Sequence, residues 1–358
     1  MRILAIETSC DETGIALVEG TKEGRTLTFK TLKAALLSQA MLHSPYGGVY
    51  PNLAKREHEK NLPVLFEQFK DEQFDAVAVT HGPGLEPALW TGVEFAKKIA
   101  QERSVPLLAT NHMEGHLISS LARRENNKFQ ITNIKLPVLA LLISGGHTEF
   151  VLMKEWLRYE VIGKTLDDAV GEAFDKVARM LGLPYPGGPE ISKLAHQHRK
   201  QGETLLNKVS PWKLPRPMLN SDTCDFSFSG LKTAALYALR DKGGVQKLSA
   251  DKIAAFAAEL EDAIAEVLVS KTRKALWDSG AKTFVIGGGV AANRYIREQI
   301  EKMILDEFPD VELRLPALDI TGDNAIMIAQ AALARALSGK NDTVDSSLRA
   351  VGNLSIAS

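Results

Sequence analysis

Leu136-Pro-Val-Leu-Ala-Leu-Leu-Ile143-Ser-Gly-Gly-His-Thr148-Glu-Phe-Val-Leu-Met153 reads as an apolar strand, a glycine turn and a returning strand. The chain opens in the same way. Arg2–Glu7 is a buried strand, Thr8-Ser-Cys-Asp-Glu-Thr-Gly14 a polar turn, and Ile15–Val18 a second strand returning antiparallel. Strand, Ser/Thr-rich turn and strand thus recur about 137 residues apart, the mark of a duplicated half-domain.

Around the first unit, a third strand falls within Leu27–Ala35, and a helix runs from near Asn52 to Phe69, with Pro63 expected to kink it. Next come strand Phe74–Val79, the turn His81-Gly-Pro-Gly-Leu85, a helix from Pro87 to Glu102, and a strand ending at Thr110. This order predicts an α/β layer on a mixed sheet. The polar stretch Arg123-Arg-Glu-Asn-Asn-Lys128 is the expected domain boundary. Around the second unit, helices are predicted over Asp168–Leu181, just after Tyr185-Pro-Gly-Gly-Pro189, and over Ser229–Asp241 and Ala250–Trp277. Residues 201–228 read as an irregular insertion. Strand Lys282–Ile286, helix Asn293–Ile304, strand Glu312–Leu315 and helix Asn324–Leu337 close the pattern, and the tail after Gly339 carries none.

The 358 residues are 45% hydrophobic and 24% charged, an ordinary globular composition able to bury a substantial core. A net charge of −1 argues against wholesale nucleic-acid binding without excluding a local basic surface. Cys10 and Cys224 give no disulfide framework and suit a reducing, cytoplasmic setting. No run of about 18 apolar residues occurs, and the N-terminal apolar run is too short for a secretory signal.

The chemistry concentrates at His112-Met-Glu-Gly-His116. Four residues of helix put the two imidazoles on one face, about 6 Å apart, within reach of one metal ion. Asn111 is an N-cap residue after a short strand, so the pair sits at a strand-to-helix junction. A zinc protease would carry its glutamate directly after the first histidine, whereas Glu114 lies about 200° around the helix, facing away. Asp323, in a turn at the start of an apolar helix, is either a plain N-cap or a third ligand. Two imidazoles and a carboxylate would leave open positions on iron or zinc alike. Three turns can approach a nucleotide: Ser144–Thr148 as a phosphate nest, Gly287-Gly-Gly-Val-Ala-Ala-Asn293 between strand and helix, and Thr8–Thr13 with its carboxylates Asp11 and Glu12. Neither a P-loop nor a dinucleotide fingerprint is present. Two such units around a nucleotide are the arrangement of the actin-like sugar kinase and chaperone superfamily.

Seven motifs occur together in order: Ser9-Cys-Asp-Glu-Thr13, His112–His116, Ser144–Thr148, Gly171-Glu-Ala-Phe-Asp-Lys176, Tyr185-Pro-Gly-Gly188, Phe226-Ser-Phe-Ser-Gly-Leu-Lys232 and Gly287–Asn293. On these the chain closely resembles, over about residues 2–337, the TsaD family of tRNA adenosine threonylcarbamoyltransferases, formerly called O-sialoglycoprotein endopeptidases. The resemblance implies a two-lobed actin-like ATPase (ASKHA) fold of duplicated RNase H-like lobes. The first lobe would span 1–130, with a helix at 322–339 packing back on it, and the second 131–321. It implies transfer of threonylcarbamoyl from threonylcarbamoyl-AMP to N6 of the adenosine 3′ of the anticodon, position 37, in tRNAs reading ANN codons. His112, His116 and Asp323 would hold one divalent metal, Fe2+ or Zn2+. Leu142, Ile143, Ser144, Gly145 and Gly146 would line the substrate site, which an ATP- or ADP-type nucleotide also fits. Asp175, Gly188 and Asn293 would contact the adenylate, and Asp11 or Glu12 would orient the acceptor amine or take its proton. Companion proteins, a TsaB-like paralogue and a TsaE-like ATPase, would assist a chain this neutral in holding tRNA.

Some positions depart from the family pattern. Thr321-Gly-Asp-Asn324 replaces Cys-Thr-Asp-Asn, Pro51-Asn-Leu-Ala-Lys-Arg56 replaces Pro-Glu-Leu-Ala-Ser-Arg, and Trp90 is unusual. Basic clusters at Lys55/Arg56/Lys60, Arg123/Arg124/Lys128 and His198/Arg199/Lys200 are read first as solvated faces. Two other readings stand beside the transferase: a metalloprotease, and a non-catalytic nucleotide-binding partner protein, which would have no reason to keep His112, His116 and Asp323 together.

Overall fold

The computed structural model describes residues 1–202, 211–340, 343–344 and 347–357. In chain order the first half contains β1 (Arg2–Glu7), β2 (Glu12–Glu23), β3 (Thr26–Ser38), α1 (Ala40–His43), α2 (Pro51–Phe66), β4 (Ala76–Gly82), α3 (Glu86–Arg103), β5 (Leu107–Asn111), α4 (His112–Leu121), β6 (Arg123–Glu125) and β7 (Lys128–Ile131). The second contains β8 (Val138–Ile143), β9 (Thr148–Glu155), β10 (Arg158–Lys164), α5 (Val170–Met180), α6 (Gly187–Gly202), α7 (Ser229–Asp241), α8 (Ala250–Ser279), β11 (Thr283–Gly287), α9 (Arg294–Glu307) and β12 (Glu312–Arg314). Helix α10 (Ala325–Leu337) and the short β13 (Thr343–Val344) then return to the first half.

The duplication read from the two strand-turn-strand units extends through both sheets. In the first, β3-β2-β1-β4-β5 lie side by side, with β1–β2 and β2–β3 antiparallel and β1–β4 and β4–β5 parallel. In the second, β10-β9-β8-β11-β12 repeat that order and those directions. The sequence reading had missed β10, a half-exposed strand without a clean apolar alternation. It had also taken 123–128 for a polar link. Those residues fold back as the β6–β7 hairpin, and Leu27–Phe29 of β3 pairs with Phe129–Ile131, so the stretch extends the first sheet. Pro63 lies inside α2, which continues to Phe66. The described part of the insertion, 211–228, is irregular as expected, and 203–210 lie outside the described residues.

Strand β8 is apolar throughout because both its faces are covered. Leu139, Leu141 and Ile143 meet the helices of the second half, while Val138, Ala140 and Leu142 face a core shared with the first sheet. That shared core holds α4 and α10, and all ten residues of α4 are buried. Gly115 permits the close crossing, since a Cβ there would stand 3.1 Å from Ile328 Cδ1 and 3.2 Å from Met327 Cγ. Arg314 ties the halves together by donating to the carbonyls of Leu121 and Thr132, each at 2.9 Å. The tail returns as well. Val351 N–H donates to His81 O, Gly352 O accepts from Gly84 N–H, and Asn111 Nδ2 donates to Ser355 O. Among the described residues no helix is long and apolar enough to cross a membrane.

Because Ile328 is fully buried against α4, Ile328→Ala is expected to cost about 2–5 kcal/mol in urea unfolding. A loss below about 1 kcal/mol would mean that the α4–α10 contact is not part of the cooperative core.

Candidate active site

The site starts from a buried carboxylate at the end of β1. Glu7 is fully buried, and its oxygens accept from Ser9 N–H at 2.5 Å, Thr80 Oγ1 at 2.6 Å and His112 Nδ1 at 3.1 Å. Ser9 Oγ also lies 3.1 Å from His112 Nδ1. With Nδ1–H directed at Glu7, the Nε2 lone pair of His112 is left to act as a ligand. Asn111 caps α4, its side chain accepting from Met113 N–H and Glu114 N–H, which sets the first turn that carries His112.

From the other end of the chain comes Asp323. Its Oδ1 lies 3.1 Å from His116 Nε2 and 3.4 Å from His112 Nε2. One potential ligand atom from each residue lies within 4.8 Å of the others, an arrangement able to hold a metal ion. The N-cap of α10 is Asn324, whose side chain accepts from Met327 N–H, so the aspartate is free of the capping role and turns to the histidines. Glu114 does face away. It accepts from Tyr159 Oη at 2.7 Å, pairs with Arg335 at 2.6 Å and is buried, leaving it no part to play at the histidines.

Asp11 and Glu12 follow Ser9. One Asp11 oxygen, Oδ2, is buried without a protein partner. Glu12 is pushed up to about 9 by burial first, then by the charges of Asp11 and Asp323. Opposite, Asp175 on α5 accepts from Gly187 N–H at 2.7 Å. Burial raises it to about 6 against that hydrogen bond and one from Gly188 N–H, with the charge of Asp11 adding to the rise. Tyr185 is raised by burial and then by Asp11, Cys10, Asp175 and Glu12, which puts it in the same electrostatic neighbourhood. Carboxyl groups from both halves therefore lie near enough to feel one another's charge.

The Ser144–Thr148 turn stands at the start of α5. Gly171 N–H donates to Ser144 O, and a Cβ at Gly171 would lie 2.6 Å from that oxygen. Gly145 and Gly146 are exposed with open space around them, while the side chains of Leu142 and Ile143 are buried in the two cores, so only their backbone can meet a ligand. Gly188 is similarly open, its nearest neighbour Phe174 Cβ at 3.9 Å. Asn293 is committed to the fold: its Oδ1 caps α9 at Ile296 N–H and its Nδ2 donates to Glu261. Sequence reasoning had passed over Glu7, Ser9 and Thr80. The available signal was a lone acid ending an otherwise apolar strand, since a buried charge needs partners. His147, in the same turn, is held near 4 by burial and then by His112 and His116, and is therefore neutral.

Two duplicated halves, each a mixed sheet of one strand order, define the actin-like two-lobed class of fold. The solved HypF of T. kodakarensis has this architecture, at a TM-score of 0.54 and 13% identity, over 95% of this chain and 48% of HypF. A nucleotide-bound full-length HypF matches at a TM-score of 0.53, and this chain spans about half the length of either HypF. The family model of TsaD, tRNA N6-adenosine threonylcarbamoyltransferase, matches residues 30–330. Proteins of that name are 43% identical in Thermosipho africanus, over 99% of this chain and all of the relative, and 43% identical in Polynucleobacter necessarius, over 97% and 95%. The chain belongs to the TsaD family and is a transferase that modifies tRNA adenosine.

The raised Asp175 carboxyl gives a pH test. Its folded value of about 6 lies above the unfolded one, so it stabilises the fold below about pH 4, and that contribution is lost as pH rises through 6. Asp175→Asn keeps the acceptor for Gly187 without the charge. It is expected to be more stable than the parent at pH 7.5 by about 2 kcal/mol, with the difference vanishing near pH 4 in urea titrations. Equal stability at both pH values would count against this placement.

Proposed function

We propose that the cleft takes threonylcarbamoyl-AMP and passes its acyl group to N6 of the adenosine 3′ of the anticodon, position 37, in tRNAs reading ANN codons. The observation that carries the reading is the convergence of His112, His116 and Asp323, 207 residues apart along the chain, beside the Asp11–Asp175 cleft. The adenylate lies against the open backbone of Gly145, Gly146 and Gly188, within reach of Asp175, and an ATP- or ADP-type nucleotide fits the same wall. The amine nitrogen bonds to the carbamoyl carbon, the bond from that carbon to the phosphate oxygen breaks, AMP leaves, and one amine proton is released.

Asp11 is assigned to orient the amine and receive that proton, because its Oδ2 has no protein partner. Glu12, whose carboxyl is held by burial above the usual carboxylate range, is assigned as a hydrogen-bond donor instead of a base. The amine is a poor nucleophile, so holding it against the carbonyl supplies much of the rate. His112, His116 and Asp323 would hold one Fe2+ or Zn2+, which when bound supplies Lewis-acid polarisation of an acyl phosphate oxygen. The buried Glu7 keeps His112 in the ligating tautomer.

Further assignments complete the reading. Residues 1–130 with the helix at 322–339 form one lobe and 131–321 the other, supported by α10 packing on β1 and β2. The enzyme works in the cytoplasm, where a TsaB-like paralogue and a TsaE-like ATPase assist it with tRNA. The engagement of Glu114 with Tyr159 and Arg335 weighs against a protease, and the intact His–His–Asp set against a non-catalytic partner protein.

Nucleoside analysis of tRNA from cells depending on this gene tests the whole. Threonylcarbamoyladenosine is expected with the parent chain, while His112→Ala is expected to abolish it and to lower bound metal. Full modification by His112→Ala, with no iron or zinc in the parent, would favour the non-catalytic reading. The two acids are separable. Asp11→Asn is expected to lower kcat by about 100-fold or more and Glu12→Gln by less than about tenfold. The reverse ranking would exchange their roles.

A further inference from the structure

A chain of buried polar groups lies behind the Asp11–Glu12 turn. Tyr50 N–H donates to His43 Nδ1 at 3.3 Å, and His43 Nε2 meets Gln39 Oε1 at 3.2 Å. Gln39 Nε2 reaches His58 Nδ1 at 3.3 Å and Ala54 O at 3.4 Å. Thr13 Oγ1 also donates to His58 Nδ1, at 2.8 Å, and His58 Nε2 lies 3.0 Å from Cys10 O. Gln39, His43, His58 and Thr13 are all buried to 1% exposure or less.

One placement of hydrogens satisfies the whole chain. Because Tyr50 N–H can only donate, His43 must accept on Nδ1 and donate from Nε2. Gln39 then accepts with its oxygen and donates with its nitrogen, and His58 accepts on Nδ1 and donates from Nε2 to the Cys10 carbonyl. Both imidazoles are neutral in this arrangement, in keeping with burial holding each below its usual value. A proton added to either would set N–H against N–H. A singly determined network of this kind is a positional constraint.

The two ends of the chain give it a role. One end meets the carbonyl of Cys10 and the hydroxyl of Thr13, on either side of the two acids, and the backbone N–H of Gln39 donates to Asp11 O at 2.9 Å. The other holds the segment 44–50, which meets the second half of the molecule at Gly47: at φ +67° it lies against the side chain of Arg179 on α5, where a Cβ would stand 2.6 Å from Arg179 Cδ. Asp175 lies one helical turn before Arg179.

We propose that His43, Gln39 and His58 are positioning residues for the transfer: they fix the Asp11–Glu12 turn to the segment 44–50, which meets α5 of the second half, and so set where the Asp11 carboxylate meets the amine. The proposal rests on the reading of Asp11 given above. None of the three touches substrate, and each acts through the backbone of the acid-bearing turn.

The test uses the full-length, metal-loaded enzyme with its companions, assayed with threonylcarbamoyl-AMP and tRNA. Gln39→Met and His43→Leu break the chain with little change in volume. Each is expected to lower kcat by about tenfold or more while KM for threonylcarbamoyl-AMP moves less than about threefold and metal content stays at the parent level. His43→Gln restores a donor towards Gln39 and is expected to recover most of the rate. A kcat within about twofold of the parent in both breaking variants would overturn the proposal, as would a loss that His43→Gln fails to recover, which marks a packing effect. Should Gln39→Met not fold, Thr13→Val removes a single hydroxyl donor and decides in its place. Asp11→Asn runs alongside. If it keeps parental kcat, the reading of Asp11 fails and the relay with it; if it is inactive while Gln39→Met is normal, the relay alone is overturned.

Discussion

Everything at this site depends on one contact, that of the Asp323 carboxylate with the imidazoles of His112 and His116. The histidines are aimed by the Asn111 cap and by Glu7, an acid kept in the core by a threonine hydroxyl, a backbone amide and the His112 ring. The aspartate is aimed by Asn324, which takes the capping role, and by α10 lying across α4 at a glycine. The contact is thus between two helix starts, each fixed by its own cap.

That arrangement explains the order of the layers. Two imidazoles that must meet a carboxylate from the far end of the chain need a fixed helix, and burial of every residue in α4 between two sheets achieves this. The duplicated sheets supply cover on both sides. An ion pair from Arg124 to Asp319 and a hydrogen bond from Arg314 to the Leu121 carbonyl join the two halves.

Much of this was legible in the chain because it depends on local rules. The repeat was visible as two apolar runs around polar turns, the histidine pair by its helical spacing, and Asn111 by its capping chemistry. Asp323 could be named but not decided, since a cap and a ligand look alike until Asn324 is seen to take the backbone amide. What stayed hidden was set by tertiary contact. The β6–β7 hairpin is polar because it forms a sheet edge, and its pairing with β3 has no local signature. Glu7 gains its meaning from Thr80 and His112, far away in sequence, and the described part of the tail after Gly339 is held by β5, by Asn111 and by the turn at Gly82–Gly84.

Helix α10 has a bearing on biosynthesis. Although made near the end of the chain, it seals the inner face of the earliest strands; Leu333 fills the space above Gly20, where a Cβ would come within 2.7 Å. On the ribosome that face must wait, uncovered, through the synthesis of the entire second half. The nascent protein therefore spends most of its elongation with an open apolar surface and with His112 and His116 lacking Asp323, and both deficits end together when α10 docks.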